Sequence, residues 1–183
     1  MNRLTMAALV AVALLATGCA TIRAQQAEQS RWQAMADAVT TRHHARQVYI
    51  RVQAGTSGEY HCENATLDLG TSGTNPRGLL AHELGHAVLG HCGANYQQEL
   101  DANAFAVEAL KIWGDPQATA VRDVVLRLLK VSRSSYRSPV HNFCAEAADV
   151  LRRYPTEPDP RASGDSTCQA DIVSVRPTPK VGG

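Results

Sequence analysis

Aromatic residues are scarce in this chain, with two Phe and two Trp among 183 residues. That argues against broad stacking surfaces for bases. Charge of one sign is also lacking. The 18 Lys and Arg against 17 Asp and Glu leave a formal net charge of +1, which gives no reason to expect nucleic acid as a partner. No C-x-x-C pair occurs, so zinc ligation by cysteine fits poorly. There is no internal repeat. The one long apolar run, residues 6–16, is too short for a comfortable membrane span.

That run has another reading. Arg3 precedes it, and together they have the charged start and apolar middle of an export signal. It ends in Leu15-Ala16-Thr17-Gly18-Cys19, which resembles the lipobox of bacterial lipoproteins. The resemblance implies cleavage before Cys19, a lipid on Cys19, and a periplasm-facing, membrane-anchored place in the bacterial cell envelope. An ordinary cleaved signal with a free Cys19 is the alternative. Setting Cys19 aside leaves Cys62, Cys92, Cys144 and Cys168. An even number in an exported domain suggests two disulfides. Neighbour order favours Cys62–Cys92 and Cys144–Cys168 among the three possible connectivities.

The length suits one domain with a real core. Residues 1–18 read as the signal peptide and 19–24 as a tether. Residues 25–154 form the folded domain, and 155–183 a tail rich in Pro and Gly where periodicity stops. Residues 25–40 are rich in Gln and Ala, with Trp32, Met35 and Val39 as the apolar stripe of a packing helix. His43-His44 follows and is weighed as a polar turn. Residues 47–53 alternate, with Val48, Ile50 and Val52 on one side and Tyr49 and Arg51 on the other, as in a half-buried strand. Residues 59–63 and 65–69 give two more strands. Later helices are expected from about 97 to 113, over 116–131 with Val121, Val124, Val125, Leu128 and Leu129 inward, and over 140–153.

The chemistry lies in Ala81-His82-Glu83-Leu84-Gly85-His86. Its H-E-x-x-H spacing puts both imidazoles on one face of a helix, one turn apart, where they can bind one zinc ion. Glu83 follows the first ligand, where a general base for metal-assisted hydrolysis would stand. Asn75-Pro76 marks the helix start, and Gly90 its stop, with His91 near the negative end. His91 cannot share the metal while the helix continues, because five residues rotate it by about 140°. Position 92, ten after His82, is Cys, so the metzincin spacing is not met.

A third ligand comes from Gln97-Gln98-Glu99-Leu100-Asp101-Ala102-Asn103. This reads as the first turns of a second helix. Glu99 would complete the metal site, and Asn103, one turn on, could orient His82 from outside the ligand set. H-E-L-G-H followed by E-L-D-A-N-A-F-A resembles the gluzincin metallopeptidases, nearest to short ImmA/IrrE-type forms whose second helix carries E-x-E-A-N-x-F-A. In that group the first glutamate of the second motif is a zinc ligand, which maps onto Glu99. Asp101 stands at the group's second acidic position. The resemblance covers about residues 76–112.

The expected fold is therefore α+β and zincin-like: a small β-sheet packed against a helical group, with the metal between two adjacent helices. The resemblance implies a sheet edge beside the metal that holds extended substrate by strand addition. The expected activity is zinc-dependent peptide-bond hydrolysis at the cell envelope, on a peptide or protein substrate. Zn2+ would be held by His82, His86 and Glu99, with Glu83 as general base. His141 is named as a catalytic residue stabilising the oxyanion, with Tyr136, Tyr60 and Tyr96 as rivals. Two other classes stay open: a zinc-containing lipoprotein that binds a partner and cuts nothing, and a cell-wall amide hydrolase.

Overall fold

The computed structural model describes residues 3–93, 95–133, 139–156 and 168, and of residues 3–22 the backbone alone. Five helices and a three-stranded mixed sheet make an α+β fold among these residues. Helix α1 spans Arg3–Arg42. Residues 19–24, expected as a tether, are thus helical backbone. No Pro or Gly follows Gly18 before position 55, so nothing local stops an Ala- and Gln-rich helix there. The lipidation reading at Cys19 concerns a side chain outside the description, as does most of the expected tail.

Strands β1 (Tyr49–Gln53), β2 (Gly58–His61) and β3 (Thr66–Gly70) follow. Their order is β1-β3-β2, with β1 parallel and β2 antiparallel to β3. The expected alternation holds in β1: Val48 and Ile50 are buried, while Tyr49 and Arg51 are exposed. A two-residue period buries one face of a strand and leaves the other to water. The β2–β3 hairpin turns at Asn64, whose Oδ1 accepts from Thr66 N–H at 2.9 Å, and at Ala65, with φ 54°.

The outer edge of β1 does not face water. Gln33 of α1 accepts from Ile50 N–H at 2.9 Å and donates to Val48 O at 2.8 Å. Gln29 accepts from Val52 N–H at 3.2 Å and donates to Ile50 O. The two side-chain amides satisfy backbone groups that a neighbouring strand would otherwise take. The other edge of the sheet is that of β2, where Tyr60 N–H bonds Glu83.

Four helices follow: α2 (Pro76–Leu89), α3 (Tyr96–Ile112), α4 (Gln117–Ser132) and α5 (Phe143–Arg153). Asn75 caps α2 by accepting from Gly78 N–H at 2.8 Å, with Pro76 in the first turn. Gly90 ends it in the left-handed conformation, φ 69°. The expected start of α5 at 140 moves to Phe143, because Asn142 accepts from Ala145 N–H and acts as the cap. The core joins Trp32, Ala36 and Val39 of α1 to Ile50, Leu67 and Leu69 of the sheet. Leu80, Leu84, Val107, Leu110, Val124 and Leu128 extend it through the helices.

Cys62 is bonded to Cys92, and Cys144 to Cys168, as neighbour order favours. The first ties the end of β2 to the loop after α2. Each bridge restricts the unfolded chain, an effect of about 2–4 kcal/mol. Among the described residues no helix is long and apolar enough to cross a membrane.

Candidate metal centre

Helices α2 and α3 lie side by side because Gly85 has no side chain. A Cβ built there would come within 2.8 Å of Ala102 Cα and 2.9 Å of Ala102 O, both backbone atoms. This contact lies within one helical turn of His82, His86 and Glu99. It brings the two motifs together.

His82 Nε2 lies 3.3 Å from His86 Nε2 and 3.2 Å from Glu99 Oε2, and His86 Nε2 lies 3.5 Å from the same oxygen. All three residues are buried. Glu99 Oε2 is enclosed and, among the described residues, makes no hydrogen bond of good geometry, a costly state for a carboxylate unless it serves another partner. Burial pushes His82 down to about 3, with the Arg127 charge adding to it, so this imidazole is neutral at pH 7. Burial alone would raise the Glu99 carboxyl, but His82 and His86 outweigh it and hold the group well below the usual carboxylate range. Two imidazoles and one carboxylate, with ligand atoms all within 4.8 Å of one another, could hold a metal ion. The residues fit that role, and the donor set alone does not name the metal.

Glu83 is also buried. Burial raises its carboxyl above the ordinary value, against the lowering effects of His86, Arg127 and the Tyr60 N–H bond. Strand β2 passes directly against it: a Cβ on Gly58 would lie 2.9 Å from Glu83 Cγ. Together these residues wall a cleft of about 600 Å³ whose floor is the His82, His86 and Glu99 cluster and whose rim includes His91 and His141. That volume lies within the range of ligand sites.

His141 stands where its Nε2 is 3.6 Å from Glu99 Oε2, and its ring stacks on Phe143. Its Nδ1 is 3.1 Å from Glu146 Oε1. Burial works to lower its pKa, but the Glu146 bond and the Glu99 charge outweigh it and raise the group. Of its rivals, Tyr60 packs against the core through its ring and Tyr96 is an exposed residue at the start of α3. Tyr136 lies outside the described residues.

Asn103 requires a correction. It does not touch His82, whose Nδ1 is buried without a partner. Asn103 donates to Glu146 Oε2 at 2.8 Å and accepts from Arg127 at 2.7 Å. Its position on α3, one turn past Glu99, faces it toward α4 and α5. Glu146 was not anticipated, nor was Arg127. Glu146 is fully buried and accepts from Asn103, from Asn142 N–H at 3.0 Å and from His141. Both charged residues sit on the apolar stripe of their helices. Glu146 falls between Phe143 and Val150, and Arg127 between Val124 and Leu128. A charge on a buried stripe was the signal available.

Comparison with family models, with curated proteins and with solved structures finds no match for this chain.

Proposed function

We propose that this chain is a zinc-dependent metallopeptidase of the gluzincin kind, lipid-anchored at Cys19 in a bacterial envelope and acting on peptide or protein substrates. The observation that carries the reading is the convergence of His82 Nε2, His86 Nε2 and Glu99 Oε2 on a cleft floor, with Glu83 on the wall beside them. Two adjacent ligand-bearing helices against a small sheet are the arrangement a zincin-like fold requires. The H-E-L-G-H and E-L-D-A-N motifs on them support the ImmA/IrrE-like assignment.

Zinc held by these three residues would supply Lewis acidity, polarising a carbonyl and lowering the pKa of water to about 7. Glu83 takes the proton of the attacking water and passes it to the leaving amine. Its burial raises its carboxyl, which favours accepting that proton, and the Tyr60 N–H holds it in place. His141, held by Glu146 through Nδ1, donates from Nε2 to the oxygen that gains charge as water adds. Extended substrate pairs along the outer edge of β2, beside Glu83. Gly70 N–H bonds Ser57 O at 2.9 Å, so by alternation Glu59 and His61 pair with β3 while Gly58 and Tyr60 point their backbone outward; with Tyr60 N–H given to Glu83, Gly58 is the residue that meets substrate.

The test is zinc per chain beside cleavage of casein, with and without chelator. Stoichiometric zinc and chelator-sensitive cleavage are expected. Zinc without cleavage of protein favours the partner-binding class or an amide of the cell wall, and a chain without zinc ends the metallopeptidase reading. A separate result is expected for Cys19→Ser: the exported protein moves from the membrane fraction to the soluble one, because a lipid there would be its anchor. Retention in the membrane after export would remove the lipoprotein assignment.

A further inference from the structure

Resting on the metal-centre reading, we infer that His91 is a positioning residue for the metal ligand His86: its Nδ1 accepts the proton on His86 Nδ1. The two nitrogens lie 3.2 Å apart, with the rings meeting edge to face at 67°. The contact alone allows either nitrogen to donate. The site decides the direction. His86 presents Nε2 to His82 and Glu99, and a ligating nitrogen must be bare. In a neutral imidazole the proton then sits on Nδ1, and His91 Nδ1 receives it. His91 therefore carries its own proton on Nε2.

The backbone is built to place this ring. Gly90, with φ 69°, reverses the chain at the end of α2. Gly90 N–H then bonds Ala87 O at 3.4 Å, and His91 N–H bonds His86 O at 2.9 Å. This is the Schellman pair of bonds, in which the second residue past the helix folds back over the residue five before it. Usually two apolar side chains meet there. Here the pair is His91 and His86. Cys92, the next residue, is tied to Cys62 at the end of β2, so His91 is held on both sides. The five-residue spacing that keeps His91 from sharing the metal is the one a Schellman cap needs to back His86.

The two histidine ligands are thus unequal. Among the described residues His82 Nδ1 has no hydrogen-bond partner, whereas His86 is fixed in ring angle and tautomer. Outer partners of metal-bound histidines are usually carboxylates or carbonyls, and their loss costs about 10–100-fold in metal affinity.

The experiment uses the full folded chain with Zn2+ as the only added ligand. Imidazole nitrogen shifts of the zinc-loaded wild type should show His86 protonated at Nδ1 and His91 at Nε2. Zinc affinity, measured by chelator competition, should fall about 10–100-fold in His91→Ala and recover in part in His91→Gln, whose side-chain carbonyl can accept. Thermal unfolding of the metal-free forms should stay close to wild type, which separates positioning from a purely structural role. A His86 proton on Nε2, seen in the wild type alone, overturns the inference. So does His91→Ala binding zinc as tightly as wild type. A wild type that binds no zinc overturns the metal-centre reading and this inference with it.

Discussion

Glu99→Ala is expected to lose zinc, and Glu83→Gln to keep it and lose turnover. The two carboxylates are buried in the same site and belong to different tasks. Glu99 Oε2 lies within 3.5 Å of both histidine ligand nitrogens. Removing it leaves two imidazoles, so affinity should drop by more than the about 10–100-fold typical of a lost outer partner. Glu83 is absent from that cluster. Gln at 83 keeps the size and the ability to accept from Tyr60 N–H but cannot take a proton, so cleavage should fall by about 10²-fold or more. Zinc per chain and peptide cleavage, measured for each purified variant, separate the roles. Full zinc in Glu99→Ala would point to another third ligand, with Asp101 the nearest rival in sequence. Full activity in Glu83→Gln would remove the general-base assignment and favour a binding role.

Gly85→Ala should also damage the centre without touching a ligand. Alanine in a helix is better than glycine by about 1 kcal/mol. Against this, the new methyl would meet Ala102 backbone at 2.8 and 2.9 Å, and backbone cannot rotate away. Overpacking of this kind costs about 1–3 kcal/mol, so the clash wins. Relief requires α3 to move away from α2, which carries Glu99 off the two histidines. Metal sites tolerate errors of about 0.2 Å in ligand distance. Zinc affinity is therefore expected to fall tenfold or more, with only a small loss in the melting temperature of the metal-free chain. Unchanged zinc binding with a raised melting temperature would mean that the helices do not meet at this glycine.

Features set by neighbours in the chain were legible from sequence. Asn75, Pro76 and Gly90 bound α2 because caps act within a turn. Alternation located β1, and the spacing of Val121, Val124, Val125, Leu128 and Leu129 located α4, all five being buried. Glu99 is legible as the candidate third ligand because it opens the helix one loop beyond H-E-x-x-H, and it does meet His82 and His86. What depends on distant segments was not legible. Asn103 was placed on the correct helix and given the wrong partner, because its neighbours Arg127 and Glu146 come 24 and 43 residues later. The support behind His141 was missed for the same reason. The parallel pairing of β1 with β3 skips a strand, and periodicity carries no information on pairing. Helix α1 continues through 19–24 because no Pro or Gly interrupts it there.

The glutamines of α1 have a consequence beyond packing. Gln29 and Gln33 occupy the backbone groups of β1 that would otherwise recruit another chain. With that side closed, the edge left for strand addition is that of β2, the one proposed to take substrate. A domain cut shorter than Gln29 would carry two sticky sides and could stack copy upon copy toward a fibril. The amide pair of the leading helix thus closes one side of this small sheet to strand pairing with another copy.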